Sequence, residues 1–102
     1  MNINIDFTKT VVVGSNSEPW INTPIPGVTR RLLGREGGES ATRATSIVNY
    51  QPNSSFSEHC HTGGEEYLVL DGIFSDETGN FSKGTYVRNP PGSRHAPFSK
   101  QG

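Results

Sequence analysis

The hydrophobic residues in the first half of this chain fall in short runs bounded by turn residues, a pattern typical of strands. Residues 3–7 alternate apolar and polar side chains and lead into the valine run 11–13, which predicts one or two short strands. Residues 28–33 and 41–50 are rich in β-branched side chains and are separated by glycines, which predicts a hairpin. Before this hairpin, residues 14–27 carry prolines around Trp20 and predict a connecting loop with the indole as a core plug.

The second half of the chain continues in the same way, with turn residues between nearly all of its apolar runs. The strands predicted for this half are 56–61, 67–70, 73–76, 81–88 and 95–98. Short strands at this spacing indicate a β-sandwich or a small barrel. We therefore predict an all-β fold.

Length and composition limit the number of domains and the classes of function. A length of 102 residues suits one domain over residues 1–102 and is too short for two. The hydrophobic fraction is only 30%, with 12 glycines and 7 prolines, which argues against long helices. The formal net charge of −1 offers no basic field for direct nucleic-acid binding. A single cysteine, no signal-like leader and no apolar run long enough to span a bilayer predict a cytoplasmic protein.

Three histidines and a carboxylate carry the candidate chemistry. On a strand, alternate side chains share a face, so His59 and His61 point the same way and Cys60 points the other way. A sandwich would bring His95 to the same place, with Glu65 positioned to join the three imidazoles. Neutral imidazole is the commonest protein ligand for several divalent metals, and a carboxylate suits it as a harder partner. Metal binding is the first hypothesis.

Other polar residues around this motif have simpler interpretations. An isolated His-x-His pair is more often a surface feature than a metal site. The further motif around His95, given below, makes metal binding the favoured interpretation here. Cys60 between two candidate ligands suggests a redox sensor, but a small core residue is the commoner case. Arg88 and Arg94 flank His95 and could orient an anionic substrate, although solvated surface arginines are more frequent.

Together these motifs resemble the cupin superfamily. The resemblance is carried by His59-x-His61-x₃-Glu65-x₆-Gly72 and by Gly84-x₅-Pro90-x-Gly92-x₂-His95. The wording around both motifs, HTGGEEYLVLDGIFSDE and YVRNPPGSRH, is similar to the ChrR-like cupins in particular. The resemblance covers residues 17–102 and leaves the N-terminal strand region, residues 1–16, outside it.

The resemblance implies a double-stranded β-helix, the cupin jelly-roll barrel, with one divalent metal ion held by His59, His61, Glu65 and His95. Alternation cannot be carried through the Gly-Gly turn, so the residues alone leave Glu65 and Glu66 both open as the carboxylate ligand. The spacing to Gly72 and the family pattern favour Glu65. The implied metal is zinc first, with iron, manganese or nickel as the alternatives.

ChrR-like cupins include the C-terminal half of anti-sigma factors, so the resemblance implies a sensory or regulatory module in transcription regulation that works with another protein or regulatory domain. The separate zinc-binding domain of those factors has no counterpart in this sequence, and we expect the chain not to form a complete factor by itself. The alternative is a small non-haem metal-dependent dioxygenase of the diketone-cleaving type, with a small-molecule ligand in the barrel. The residues do not settle whether the chain is an enzyme, and they identify no catalytic residue.

The last residues carry one more expectation. Ser99 to Gly102 read as a turn leading toward a further strand, and family members usually continue with an apolar one. We therefore expect the barrel to lack its last strand here. An open sheet edge of that kind would allow pairing into a homodimer.

Overall fold

Short strands joined by turns make up the computed structural model of the chain, which describes residues 2–102. Within that range, the sole helical element is a single 3₁₀ turn at Ser15–Ser17. The strands are β1 (Asn2–Ile3), β2 (Ile21–Asn22), β3 (Val28–Glu36), β4 (Arg43–Tyr50), β5 (Ser54–Ser55), β6 (His59–His61), β7 (Glu65–Leu68), β8 (Ile73–Asp76), β9 (Gly79–Ser82), β10 (Tyr86–Asn89), β11 (Ser93–His95) and β12 (Phe98–Ser99). The all-β prediction is confirmed.

The strands belong to two compact units. One unit comprises residues up to Pro24 together with Val28–Asn49, and the other comprises Ile25–Gly27 together with Tyr50–Gly102. All four candidate metal ligands lie in the second unit. The assignment of residues 1–102 to one domain stays a prediction.

The first unit is built on the long strand β3. It pairs with β1, β2 and β4, so the predicted hairpin of β3 and β4 is confirmed. Val28 and Leu32 supply its buried apolar side chains, four residues apart on one face of β3. Arg35 is also buried, and its guanidinium donates hydrogen bonds from Nε and Nη2 to the carbonyl oxygen of Gly38 at 3.1 and 2.7 Å.

The N-terminal segment corrects one prediction. Of the strands expected at residues 3–7 and 11–13, only Asn2–Ile3 forms, and Val12 is 91% exposed. Asn4 adopts a positive φ of 53°, and the carboxylate of Asp6 accepts hydrogen bonds from the backbone and hydroxyl of Thr8. Turn formation by Asn and Asp side chains therefore prevails over the alternating pattern.

The position of Trp20 corrects a second prediction. Its side chain is 44% exposed and lies in a loop, where the guanidinium of Arg31 sits 4.3 Å from the ring centroid. The predicted core plug is wrong, because the cation holds the indole at the surface.

The second unit holds β5 to β12 in three sheets. Strand β12 lies between β5 and β8, and β9 extends this sheet beyond β8. The pairs β7 with β10 and β6 with β11 are antiparallel two-stranded ladders. Leu68 and Leu70 are exposed while Val69 between them is buried, so side chains alternate between the two sides of this segment.

Four aromatic rings form a continuous arc in the second unit. The ring centroids are separated by 5.9 Å from Phe56 to Tyr50, 5.0 Å from Tyr50 to Phe74 and 5.1 Å from Phe74 to Tyr67. The steepest interplanar angle, 81°, gives the edge-to-face contact of Phe74 with Tyr67. At the other end, the Phe56 ring lies 5.7 Å from the imidazole of His59. Aromatic packing therefore supports the strands that carry the candidate ligands.

The turn between β6 and β7 depends on one of its two glycines. Gly64 has a φ of 80°, and a Cβ there would lie 2.9 Å from the carbonyl oxygen of Asn89 and 3.1 Å from the nitrogen of Pro91. Gly63 is not among the positive-φ residues, and a Cβ there would meet no atom within 4 Å. The close approach of backbone at Gly64 holds the β6–β7 turn against the end of β10.

We expect Gly64→Ala to lower the free energy of unfolding by about 1–2 kcal/mol for the left-handed conformation alone, with the backbone contacts adding to this loss. Gly63→Ala is the matched control and should change it little. Chemical denaturation of both variants checks the prediction. Equal losses in the two variants would contradict it.

Candidate metal centre

The pairing register of two short strands brings the histidines together. In the β6–β11 ladder, His59 lies opposite His95, and His61 lies opposite Ser93. Because side chains alternate along a strand, all three imidazoles share one face, which we call the site face. The Nε2 atoms of His59 and His61 are 2.8 Å apart, and those of His61 and His95 are 2.9 Å apart. The three histidines are therefore positioned to hold a metal ion.

The outer nitrogens of two rings have acceptors that determine where their protons lie. Nδ1 of His59 is 3.0 Å from the carbonyl oxygen of Ser57, and Nδ1 of His95 is 3.3 Å from Oδ2 of Asp76. Acceptors at these positions keep the proton on Nδ1 in the neutral imidazole, so that Nε2 presents its lone pair. The chemistry of this donor set suits a cation, because neighbouring lone pairs at such distances repel one another.

A carboxylate completes the cluster, and it belongs to Glu65. Its Oε2 lies 2.8 Å from Nε2 of His61, and its Oε1 lies 3.0 Å from Nε2 of His95. Asn89, its partner in the β7–β10 register, donates a hydrogen bond of 3.1 Å to Oε1 and orients the carboxylate. The neighbouring Glu66 points to the opposite side, where its Oε2 accepts a hydrogen bond of 2.7 Å from the Tyr86 hydroxyl. Of the two adjacent glutamates, Glu65 is the one that contacts the imidazoles.

Electrostatics keep the central imidazole in the form that a metal requires. Burial lowers the pKa of His61, the charge of Glu65 opposes that effect, and positive charge on His59 or His95 would lower it further. The net direction is downward, so His61 is neutral at physiological pH and Nε2 or Nδ1 offers a lone pair.

Asp76 is the anionic support of the cluster. Burial raises the pKa of its carboxyl, but hydrogen bonds from the side chain and backbone of Thr78, together with the contact to His95, outweigh burial and hold the pKa below its usual range. Asp76 is 7% exposed, and Thr78 uses the other carboxylate oxygen, Oδ1. A buried, ionised carboxylate on the outer nitrogen of a candidate ligand is the usual second layer of a metal site.

Sequence reasoning did not identify Asp76 or Asn89. Both fall within the two stretches quoted for the family resemblance, but each lies far along the chain from the residue it orients, and no local pattern singled them out. For Asn89 the only usable signal is the register of β7 with β10, which requires the tertiary structure.

Tyr67 also faces the cluster, two residues after Glu65 on β7. Burial, followed by the charges of Asp76 and Glu65, raises the pKa of its phenol to about 12. The hydroxyl is therefore protonated at neutral pH and available as a donor.

Cys60 lies on the side of β6 opposite the site face, and its exposure corrects the prediction made from the sequence. Its side chain does point away from the imidazoles, but it is exposed and not a small core residue. Its thiol contacts the carbonyl oxygen of Gly92 at 3.6 Å, and its cross-strand neighbour is Arg94. Arg94 is exposed and pairs with Glu58 at 3.0 Å, and Arg88 is exposed as well, so both arginines are solvated surface residues.

Comparison with known proteins gives the chain its family. No curated protein sequence matches it significantly. No helix among residues 2–102 is both long enough and apolar enough to cross a membrane. The profile of the family described as the ChrR Cupin-like domain matches residues 8–102 and so begins ahead of the resemblance recognised from residue 17. Because this match spans nearly the whole sequence, the chain belongs to the ChrR Cupin-like domain family.

Proposed function

We propose that the chain binds one divalent metal ion through His59, His61, Glu65 and His95. The convergence of three Nε2 atoms and one carboxylate, within 2.8–3.0 Å of their neighbours, carries the proposal. A metal ion with nitrogen and oxygen ligands would supply the positive charge that these electron pairs lack. The residues fit such an ion, because two outer nitrogens already have acceptors and the carboxylate is held by Asn89.

We propose further that the loaded domain is a sensory or regulatory module, related to the cupin half of ChrR anti-sigma factors and acting in transcription regulation. Membership in the ChrR Cupin-like family supports this assignment. In this role the metal is zinc, and the partner is another protein or a regulatory domain. A signal acts by binding the metal, or by oxidising or displacing one of the side chains that hold it. A cytoplasmic location belongs to the same proposal, in keeping with the lone cysteine of the sequence.

The second candidate function, a non-haem metal-dependent dioxygenase, is favoured by the separations between donors. With metal–nitrogen bonds of 2.0–2.1 Å, two ligands at a right angle are about 2.9 Å apart and two tetrahedral ligands about 3.3 Å apart. The observed separations are 2.8, 2.9, 2.8 and 3.0 Å. They fit right angles, which in an octahedron would leave two adjacent positions for a chelating substrate and oxygen. A redox metal bound there would supply Lewis-acid activation, while the aromatic arc of Tyr50, Phe56, Tyr67 and Phe74 would limit access of water.

Metal binding is tested by stoichiometry. The purified chain should carry one equivalent of divalent metal by elemental analysis, and His61→Ala should lose it, because His61 lies between both other imidazoles and Glu65. Added metal should also raise the melting temperature of the wild-type protein, since a ligand that binds only the folded state stabilises it.

Two adjacent glutamates provide the matched control. Glu65→Gln should weaken metal binding strongly, whereas Glu66→Gln should not, because only Glu65 contacts the imidazoles. Full metal content in both His61→Ala and Glu65→Gln would overturn the proposed ligand set.

The carboxylate behind His95 gives a separate prediction. Asp76→Asn should lower metal affinity about 10- to 100-fold, because the amide cannot orient the imidazole or increase its basicity as the carboxylate does. Competition with a chelator measures the change. Thr78→Val removes the hydrogen bond that the Thr78 hydroxyl donates to Asp76 but leaves the contact of Asp76 with His95. This variant should therefore bind metal as the wild type does. Equal affinity in Asp76→Asn and Thr78→Val would argue against a role for the carboxylate.

The identity of the metal and oxygen consumption separate the two functions. If the module is regulatory, the as-isolated protein should contain zinc, and iron-loaded protein should consume no oxygen with acetylacetone or related diketones. An oxygen electrode checks this, and the blank is His61→Ala treated with iron in the same way, because that variant should not retain the metal. Uptake well above the blank, from protein isolated with iron, manganese or nickel, would replace the regulatory proposal by the enzymatic one.

A further inference from the structure

Three buried side-chain polar atoms among the described residues have no hydrogen-bond partner in the protein: Arg31 Nε, Tyr67 Oη and Ser93 Oγ. Arg31 belongs to the first unit, where its guanidinium already contacts Trp20, Ser15 and Asn16. The other two are hydroxyls of the second unit. An unpartnered buried hydroxyl is costly, and in a native protein it indicates that a further molecule supplies the missing contact.

Each hydroxyl projects to the same side of its strand as a candidate ligand. Ser93 alternates with His95 on β11 and lies opposite His61 in the β6–β11 register, so its side chain projects to the same side as the two imidazoles. Tyr67 alternates with Glu65 on β7, and the edge-to-face contact of its ring with Phe74 holds it in place. Two strands from different ladders therefore each add one unpartnered hydroxyl beside the metal donors.

Charge narrows the class of molecule that could use these donors. The carboxylates of Glu65 and Asp76 balance the charge of a divalent ion, so the loaded cluster would be close to neutral. Arg94 lies opposite Cys60 and Arg88 lies opposite Glu66, so both exposed guanidinium groups are on the side of their strands away from the candidate ligands. The surroundings therefore suit a small ligand with one negative charge at most and poorly suit a phosphate or a dicarboxylate.

Solvent reaches two of the candidate ligands next to these buried hydroxyls. The side chains of His61 and Glu65 are 25% and 22% exposed, whereas that of His95 is 7% exposed. A small molecule could therefore approach beside His61 and Glu65, the two candidate ligands that neighbour Ser93 and Tyr67.

We propose that Tyr67 and Ser93 form a binding subsite for a small monocarboxylate, whose oxygen atoms coordinate the metal and accept hydrogen bonds from the two hydroxyls. This subsite rests on the proposed metal site and extends it: the monocarboxylate is the signal of the regulatory module or the head group of its substrate. Tyr67 and Ser93 are positioning residues, because they act on the ligand and not on the metal.

Cobalt-loaded protein tests the subsite, with acetate as the probe. The visible absorption of the bound cobalt reports any change in its coordination, and an acetate titration then yields a Kd. We expect acetate to shift the spectrum of the wild type and to bind roughly threefold to tenfold more weakly to Tyr67→Phe and to Ser93→Ala, the ratio for loss of one hydrogen bond. Cobalt affinity should be unchanged in both variants.

Matched controls are available on the neighbouring surface. Tyr86→Phe removes an exposed hydroxyl that binds Glu66, and Ser82→Ala removes an exposed one on β9. Both should bind acetate as the wild type does. Metal-free Tyr67→Phe should melt at the wild-type temperature or above it, because the hydroxyl that it loses has no protein partner. A lower melting temperature would mean that the hydroxyl has a structural role.

The outcomes separate this inference from the proposed function. Failure of cobalt to bind would overturn the metal site and the subsite together. A normal cobalt spectrum that acetate does not alter would overturn the subsite alone. Acetate binding of equal strength in the wild type, Tyr67→Phe and Ser93→Ala would show that the hydroxyls contact water only, and it would remove both residues from the site.

Discussion

The candidate metal centre of the second unit depends on the convergence of electron pairs on one point. Nε2 atoms of His59, His61 and His95 lie within 3 Å of a neighbour in the cluster, and the carboxylate of Glu65 closes it. Two of the imidazoles have acceptors at Nδ1, so their Nε2 atoms cannot also donate in the neutral form. A cation at the centre would satisfy these lone pairs together. The strand pairing around it maintains this arrangement.

Two ladders and one turn deliver the four donors. Pairing of β6 with β11 supplies the imidazoles, and pairing of β7 with β10 supplies Glu65 together with Asn89, which orients it. The turn at Gly64 joins these ladders at a point where no side chain fits. Behind the donors, Asp76 fixes the ring of His95 from β8. Three of the four donors, those of His59, Glu65 and His95, thus have a supporting contact, as expected for a metal site held in a defined geometry.

The same donor set is compatible with the regulatory and the enzymatic proposals, because both begin from a bound divalent ion. The family match is the argument for the regulatory proposal, and the donor separations near 2.9 Å are the argument for the enzymatic one. The unpartnered hydroxyls of Tyr67 and Ser93 connect these observations, since they provide contacts for a ligand beside the ion. A signal that binds the metal directly would reconcile an open site with a regulatory role.

Local patterns in the sequence determined the all-β class and the common face of His59 and His61, because alternation and turn residues act over a few positions. The spacing of the motif residues along the chain indicated the family. Those patterns failed where local turn chemistry competed with them, as at Asn4, and where exposure depended on distant neighbours, as at Cys60. Only the tertiary structure chose Glu65 over Glu66 by geometry and added Asp76 and Asn89, since those contacts join strands remote in sequence. Register between strands is set by many weak contacts at once, and no single motif encodes it.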